Sequence, residues 1–266
     1  MNESGQASPS RTGQAVAMTR AEFDRPQSEH GDPAAQRRLC AGMRPAPLPG
    51  MRASLEARTV FFDQQVIGAI AAGIGQVVIL GAGYDDRALR FRTPGVRFFE
   101  LDHPATQADK RARLEAIGAQ DAGTGGPVLA AVDLASGDVA GVLAGAGHDP
   151  SRPSLFLCEG LLVYLDQAAT VRLLTGLREA GAPGSVLAVS LSTHADGLDS
   201  ARVLEVANAR RQAADTEPWL TILSAAAQAD LLARAGWRVV TSADAADFGT
   251  GADRGRSLLV TAEPAG

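Results

Sequence analysis

QVVILGAGYDDRALRF, residues 76–91, opens with Val77-Val78-Ile79-Leu80 and runs straight into Gly81-Ala82-Gly83. Four consecutive apolar residues read as a strand buried on both faces, as in a central parallel strand. Two glycines let the backbone turn sharply and leave no Cβ between main chain and ligand. A Gly-rich turn at the carboxyl end of a first strand is where open α/β sheets bind nucleotides. A dinucleotide fingerprint would place a third glycine at Asp86, where it permits close packing of the next helix. Its loss argues against a bound pyrophosphate. A nucleoside cofactor without a diphosphate, such as S-adenosylmethionine, fits better; an ordinary βα turn is the alternative.

Outward from this turn the pattern is strand, loop, helix. Strands are expected at 76–81, 96–101, 127–132, 154–159, 185–191, 237–242 and 257–262, and helices at 104–117, 137–145, 166–180, 199–213 and 224–235. Alternation of this kind implies an α/β, doubly wound, mostly parallel sheet of seven strands. The last two strands are joined by 243–256 without a good helix, which predicts an antiparallel last strand. Residues 1–15, rich in Ser, Gly, Gln and Thr, are expected to be a disordered tail. Residues 16–50 read as an N-terminal helical lid segment, with helices from Ala15 and Asp32 and a proline-stiffened loop over 43–50. A long helix over 52–73 then begins the main domain, residues 51–266.

The 266 residues are 45% hydrophobic, with net charge −5, and Lys110 is the only lysine. A pI near 5.4 argues against nucleic acid or an anionic membrane as partner. Cys40 and Cys158 are too few for a disulfide framework or a cysteine zinc site, and no metal site is expected. No stretch reaches membrane-span length and no signal-peptide segment is visible, so a cytoplasmic protein is expected.

The strand ends carry the candidate chemistry. Glu100 and Asp102 close the second strand on one face, and Asp102, nearer the tip, is placed to accept from ribose hydroxyls. Asp133 and Leu134 follow the third strand, where a carboxylate could accept from the adenine amine and Leu134 offer an N–H and an apolar contact. Glu159 ends the fourth. Buried, it needs a partner: a ligand ammonium, or an arginine of the chain itself. Tyr164 would add an aromatic wall with a hydroxyl beside the transferred methyl. Arg58, on the helix entering the first strand, could fork onto a carboxylate, with Arg20 a weaker candidate. His194, after the fifth strand, could act as a general base or be a bystander. His30 and His148 are expected to be exposed, and His103, before Pro104 at a helix start, to have a structural role.

The combination of EARTVFFD (56–63), VVILGAGYDDRALRF (77–91), FFELDHPATQADKR (98–111), VDL (132–134), CEGLLVYL (158–165), APGS (182–185) and EPWLTILSAAAQADLLARAGW (217–237) resembles the leucine carboxyl methyltransferase family, including its bacterial polyketide-type O-methyltransferase branch. MTRAE (18–22) and DPAA (32–35) echo that branch weakly. The resemblance implies the class I methyltransferase fold, with S-adenosyl-L-methionine as cofactor. It implies that Arg58 binds the methionine carboxylate, that Gly81, Ala82 and Gly83 line the cofactor, and that Asp102 holds the ribose. By the same resemblance Asp133 and Leu134 hold the adenine and Glu159 the amino group. Asp85-Asp86-Arg87 departs from the family's usual Asp-Thr-Arg, and the short, Pro-rich lid leaves the acceptor open.

The expected activity is O-methyl transfer to a carboxylate or phenolic hydroxyl of a small polyketide-like metabolite, with Tyr164 and His194 as candidate catalytic residues. The alternatives are a nicotinamide-dependent oxidoreductase on the same kind of sheet, or a protein that binds S-adenosylmethionine without transfer.

Overall fold

The computed structural model describes residues 8–44, 51–119, 126–213, 217–249 and 256–266. The expected proline-stiffened loop lies mostly outside these, as do residues 1–7. The sheet runs β3-β2-β1-β4-β5-β8-β7, built from β1 (Gln76–Leu80), β2 (Arg97–Asp102), β3 (Val128–Ala131), β4 (Leu155–Cys158), β5 (Val186–His194), β7 (Trp237–Asp244) and β8 (Ser257–Pro264). β1 pairs parallel with β2 and β4, whereas β8 is antiparallel to both β5 and β7. An eighth strand, β6 (Leu223–Ser224), pairs with the end of β5 and was not expected. Two residues are too few to give a period.

Alternation along β1 divides the core. Val77 and Ile79 face one layer with Phe61, Phe62 and Val66 of α3 (Arg52–Ala71). Val78 and Leu80 face the other, with leucines of α6 (Val139–Gly145), α7 (Gln167–Ala180) and α9 (Ala225–Arg234) and with Trp237. Cys158 lies in this second layer, where burial pushes its thiol up to about 12 and leaves it inert. His148, expected to be exposed, is buried: Ser154 Oγ lies 2.8 Å from Nε2, and Phe99 packs edge-on to the ring. No helix among the described residues is long and apolar enough to cross a membrane.

The N-terminal segment is more ordered than its composition suggests. Residues 11–15, assigned to the tail, form the first half of α1 (Arg11–Arg20), whose N-terminus is capped by Ser10 Oγ accepting from Gly13 N. The next helix, α2 (Ala35–Leu39), starts later than Asp32, which instead ties the turn before it by accepting from Ala34 N. Ala17, Cys40 and Met43 close over Tyr84. Gln36 donates to the Tyr84 carbonyl at 2.8 Å, and the Tyr84 hydroxyl donates to Asp109 at 2.6 Å.

Beneath the glycine turn lies a buried ion network. α4 (Arg87–Arg90) is a single turn, so Arg87 and Arg90 share one face. Both reach Asp63 on α3, at 2.8 and 2.9 Å. Arg25 of the lid forks onto the same carboxylate at 3.2 Å and reaches Asp86 at 2.9 Å. Arg87 also meets Asp85 at 2.5 Å, and Lys110 is held by Glu100 and the Asp85 carbonyl. Burial pushes the Glu100 carboxyl up to about 7, with Lys110 opposing the shift. Burial would also raise Asp63, but Arg87, Arg25 and Arg90 outweigh it and draw its carboxyl down to about 2.

A depressed carboxylate contributes stability that is whole above its ordinary value of 3.8 and is lost as pH falls through the folded one. Asp63→Asn removes the anion shared by three buried guanidinium groups, leaving them only Asp85, Asp86 and Glu159, and is expected to cost ~3–5 kcal/mol in urea denaturation at neutral pH. The gap to wild type should narrow as the buffer is taken below about pH 4. A gap that holds constant down to about pH 3 would refute the assignment.

Candidate active site

A cavity of about 770 Å³ opens at the carboxyl ends of β1, β2, β4 and β5, with α1 as its roof. Parallel strands all deliver their chain to this edge, so residues distant in sequence converge there. Gly81, Ala82, Gly83, Asp102, Glu159, Arg58, Arg20 and Tyr164 all line it.

The turn is built for close approach. Gly81 and Gly83 have φ of +63° and +50°, where any side chain is strained. A Cβ on Gly81 would also lie 3.0 Å from Leu161 Cδ1. Asp102 braces the turn by accepting from Gly83 N and His103 N, both at 2.6 Å. Burial raises its carboxyl, and those two N–H groups pull the other way. Two oxygens with two bonds made still have lone pairs to offer. His103 caps α5 (Pro104–Ala116), with Nδ1 accepting from Ala105 N.

Glu159 sits among arginines. Arg20 Nη2 is 2.5 Å from its Oε1, Arg87 Nη1 is 3.0 Å from Oε2, and Arg58 Nε is 3.6 Å from Oε1. An arginine partner within the chain is thus present, and it does not close the site, since Glu159, Arg20 and Arg58 all reach the cavity. Burial works to raise Glu159, but the arginines win and hold it below the usual carboxylate range. Arg58 fares differently: burial lowers its guanidinium, Glu159 offsets only part of that, and its buried Nε has no hydrogen-bond partner. A second anion beside Arg58 would satisfy it.

Three expected residues are placed elsewhere. The Asp133 carboxylate is exposed and folds back on its own turn, accepting from Ala135 N at 2.9 Å and Ser136 Oγ at 2.7 Å. Leu134 packs in the core with Val139 and Leu143. Aspartate followed by Ser136 is a local turn signal, and here it holds the side chain on its own turn. His194 shares a face with Ser190 and Ser192, which do line the cavity, but lies beyond them where β6 pairs with β5. Its Nε2 is 2.7 Å from Ser200 Oγ and its Nδ1 2.9 Å from the Ala195 carbonyl, so both ring nitrogens are engaged.

The sequence reading missed one wall. Pro218, Trp219 and Leu220 line the cavity opposite α1, and nothing in their spacing sets them apart from a loop. Ser10 Oγ bridges the two sides by donating to Glu217 Oε1 at 3.3 Å.

Comparison with known proteins gives the family. Residues 14–178 match the family profile of leucine carboxyl methyltransferase. A provisionally named S-adenosyl-L-methionine-dependent methyltransferase of Mycobacterium avium is 35% identical over 169 residues, covering 63% of this chain and 55% of that protein. A relative of the same description from Parafrankia sp. is 35% identical over 256 residues, covering 89% and 79%. The chain spans about half the length of several of the curated relatives it matches. A provisionally named methyltransferase from Thermobifida fusca superposes with a TM-score of 0.60 at 17% identity, covering 97% of this chain and 96% of that one. At that identity the likeness is one of fold, and it is the class I methyltransferase fold. The chain belongs to the leucine carboxyl methyltransferase family.

Proposed function

We propose that the protein binds S-adenosyl-L-methionine and transfers a methyl group to a carboxylate or phenolic oxygen of a small polyketide-like molecule. One observation carries this reading: a glycine turn free of side chains, a strand-tip carboxylate and a buried guanidinium short of an anion share one cavity. In it, Gly81, Ala82 and Gly83 lie against the nucleoside and Asp102 accepts from the ribose hydroxyls. Arg58, helped by Arg20, takes the amino-acid carboxylate, and Glu159 takes the amino group. Asp133 and Leu134 have no part in it. A nicotinamide cofactor finds less support. Asp86 occupies the third-glycine position with its carboxylate committed to Arg25 and Arg90, and Lys110 is committed to Glu100.

When bound, the sulfonium supplies a methyl already activated for transfer. What the chain must add is alignment and exclusion of water, and positioning of this kind is worth ~7–11 kcal/mol. A carboxylate acceptor is ionised at neutral pH and needs no base, whereas a phenol must lose a proton. Tyr164 accepts a hydrogen bond from Arg211 Nη2 at 3.2 Å, which leaves its own O–H to orient an acceptor oxygen, and a phenol gives up its proton to water before the transfer. His194, with both nitrogens engaged, is not needed.

Calorimetric titration with S-adenosylmethionine and with NADPH is the first test; binding of NADPH alone would end the proposal. Arg58→Ala and Asp102→Ala each remove a charge-assisted contact of ~1.5–3 kcal/mol and should weaken cofactor binding by about 10- to 150-fold. Given an acceptor, S-adenosylhomocysteine release is the readout. Tyr164→Phe removes that orienting O–H and should slow transfer to either kind of acceptor by about 2- to 12-fold, while His194→Ala spares both. Equal losses in the two variants would return the histidine to the mechanism.

A further inference from the structure

The wall that sequence reading missed is held with more care than a rim loop requires. Asn208 of α8 (Ser200–Ala213) clamps the Trp219 backbone from both sides, donating to its carbonyl and accepting from its N–H, each at 2.8 Å. Leu220 N donates to the Val163 carbonyl at 2.7 Å, which ties the same segment to the 3-10 turn Leu162–Tyr164. Arg211, one turn further along α8, lies over the Trp219 ring at 4.7 Å and the Tyr164 ring at 5.6 Å. Its Nε donates to the Glu217 carbonyl at 2.5 Å. A guanidinium set against two rings is attracted to both, which fixes their planes relative to each other.

Trp219 and Tyr164 line the cavity together with Val16, Met51, Pro218 and Leu220. The end of the cavity at Trp219 and Tyr164 is therefore aromatic, with Glu217 beside it. At about 770 Å³ the cavity sits high in the ~300–1,000 Å³ range that holds one drug-sized ligand. That leaves room beside a nucleoside cofactor for a second, small molecule.

We propose that this end is the acceptor site and that it selects planar aromatic molecules, which stack on Trp219 and Tyr164 while Arg211 positions the two rings. The inference rests on the methyl-transfer reading above and narrows its acceptor to a ring-bearing one. Trp219 is the specificity-determining residue; Arg211 is a positioning residue that acts through it.

The test uses 2-naphthoate and its saturated counterpart, decahydro-2-naphthoate, as probes, titrated calorimetrically with and without S-adenosylhomocysteine. Stacking favours the flat probe by about five- to tenfold in wild type. Trp219→Leu, which keeps apolar bulk, should abolish that preference, and Arg211→Gln should reduce it without moving the melting temperature by more than a degree or two. Trp237, the only other tryptophan, is buried in the core, so quenching of emission by 2-naphthoate in the wild-type protein reports Trp219 without any variant. Equal affinity for the two probes, a preference that survives Trp219→Leu, or unquenched emission at saturating 2-naphthoate would overturn the proposal. Failure to bind S-adenosylhomocysteine would instead count against methyl transfer, since the arm without it still reads the aromatic preference.

Discussion

One carboxylate, Asp63, receives three arginines from two parts of the chain distant in sequence: Arg25 of the N-terminal segment, and Arg87 and Arg90 of the turn after β1. Each guanidinium is buried, and a buried cation without an anion is intolerable. The lid loop, α3 and the glycine turn must therefore be in their native places at once. The same chain of charges continues from Arg87 to Asp85 and Glu159, and from Glu159 to Arg20 on the roof helix. Such networks add little net stability against an apolar alternative, but breaking one member is costly. What they supply here is registration, so that the residues facing the cavity are fixed from beneath by charges that never touch a ligand.

Asp86 gives that network its chemical meaning. In a dinucleotide site the corresponding glycine lets the helix close in so that its amides face a pyrophosphate. Here the position carries a buried carboxylate that accepts from Arg25 and Arg90. A side chain at this position keeps the helix from closing in as it does over a pyrophosphate, and Arg25 and Arg90 are spent on its carboxylate.

Much of this was legible in the sequence, for reasons that can be named. Val77 to Leu80 followed by two glycines marks a buried strand and an open turn, because few other conformations tolerate that order of residues. Asp102 was legible because its strand ends one residue before a Pro-started helix, which fixes where the tip lies. Asp133 and His194 misled for a shared reason. Each ends or follows a strand at the right edge, but a nearby hydroxyl, Ser136 or Ser200, competes for the side chain at short range, and strand periodicity is blind to that competition. His148 misled in the opposite direction: its loop residues look polar, yet Ser154 and Phe99 give the ring both a hydrogen bond and an apolar bed. The Trp219 wall was invisible since its two anchors, Asn208 and Arg211, belong to a helix whose pattern reveals only that it is a helix. Of α1, composition hid the first half, because Ser and Gly are as common in caps and lids as in disordered tails.

The charged end of the cavity also constrains what it can hold. Glu159 divides one negative charge among Arg20, Arg87 and Arg58, and Arg58 is the most weakly served, at 3.6 Å and with its Nε unbonded. A lone anion there would satisfy Arg58 but face Glu159 and, further along, Asp102. A lone cation would compete with Arg20 for Glu159 and leave Arg58 short. A zwitterion meets both demands at once, with its carboxylate toward the guanidinium and its ammonium toward the glutamate. An amino-acid tail joined to a nucleoside carries that charge pattern, whereas a nucleotide diphosphate carries the reverse of what the glutamate requires.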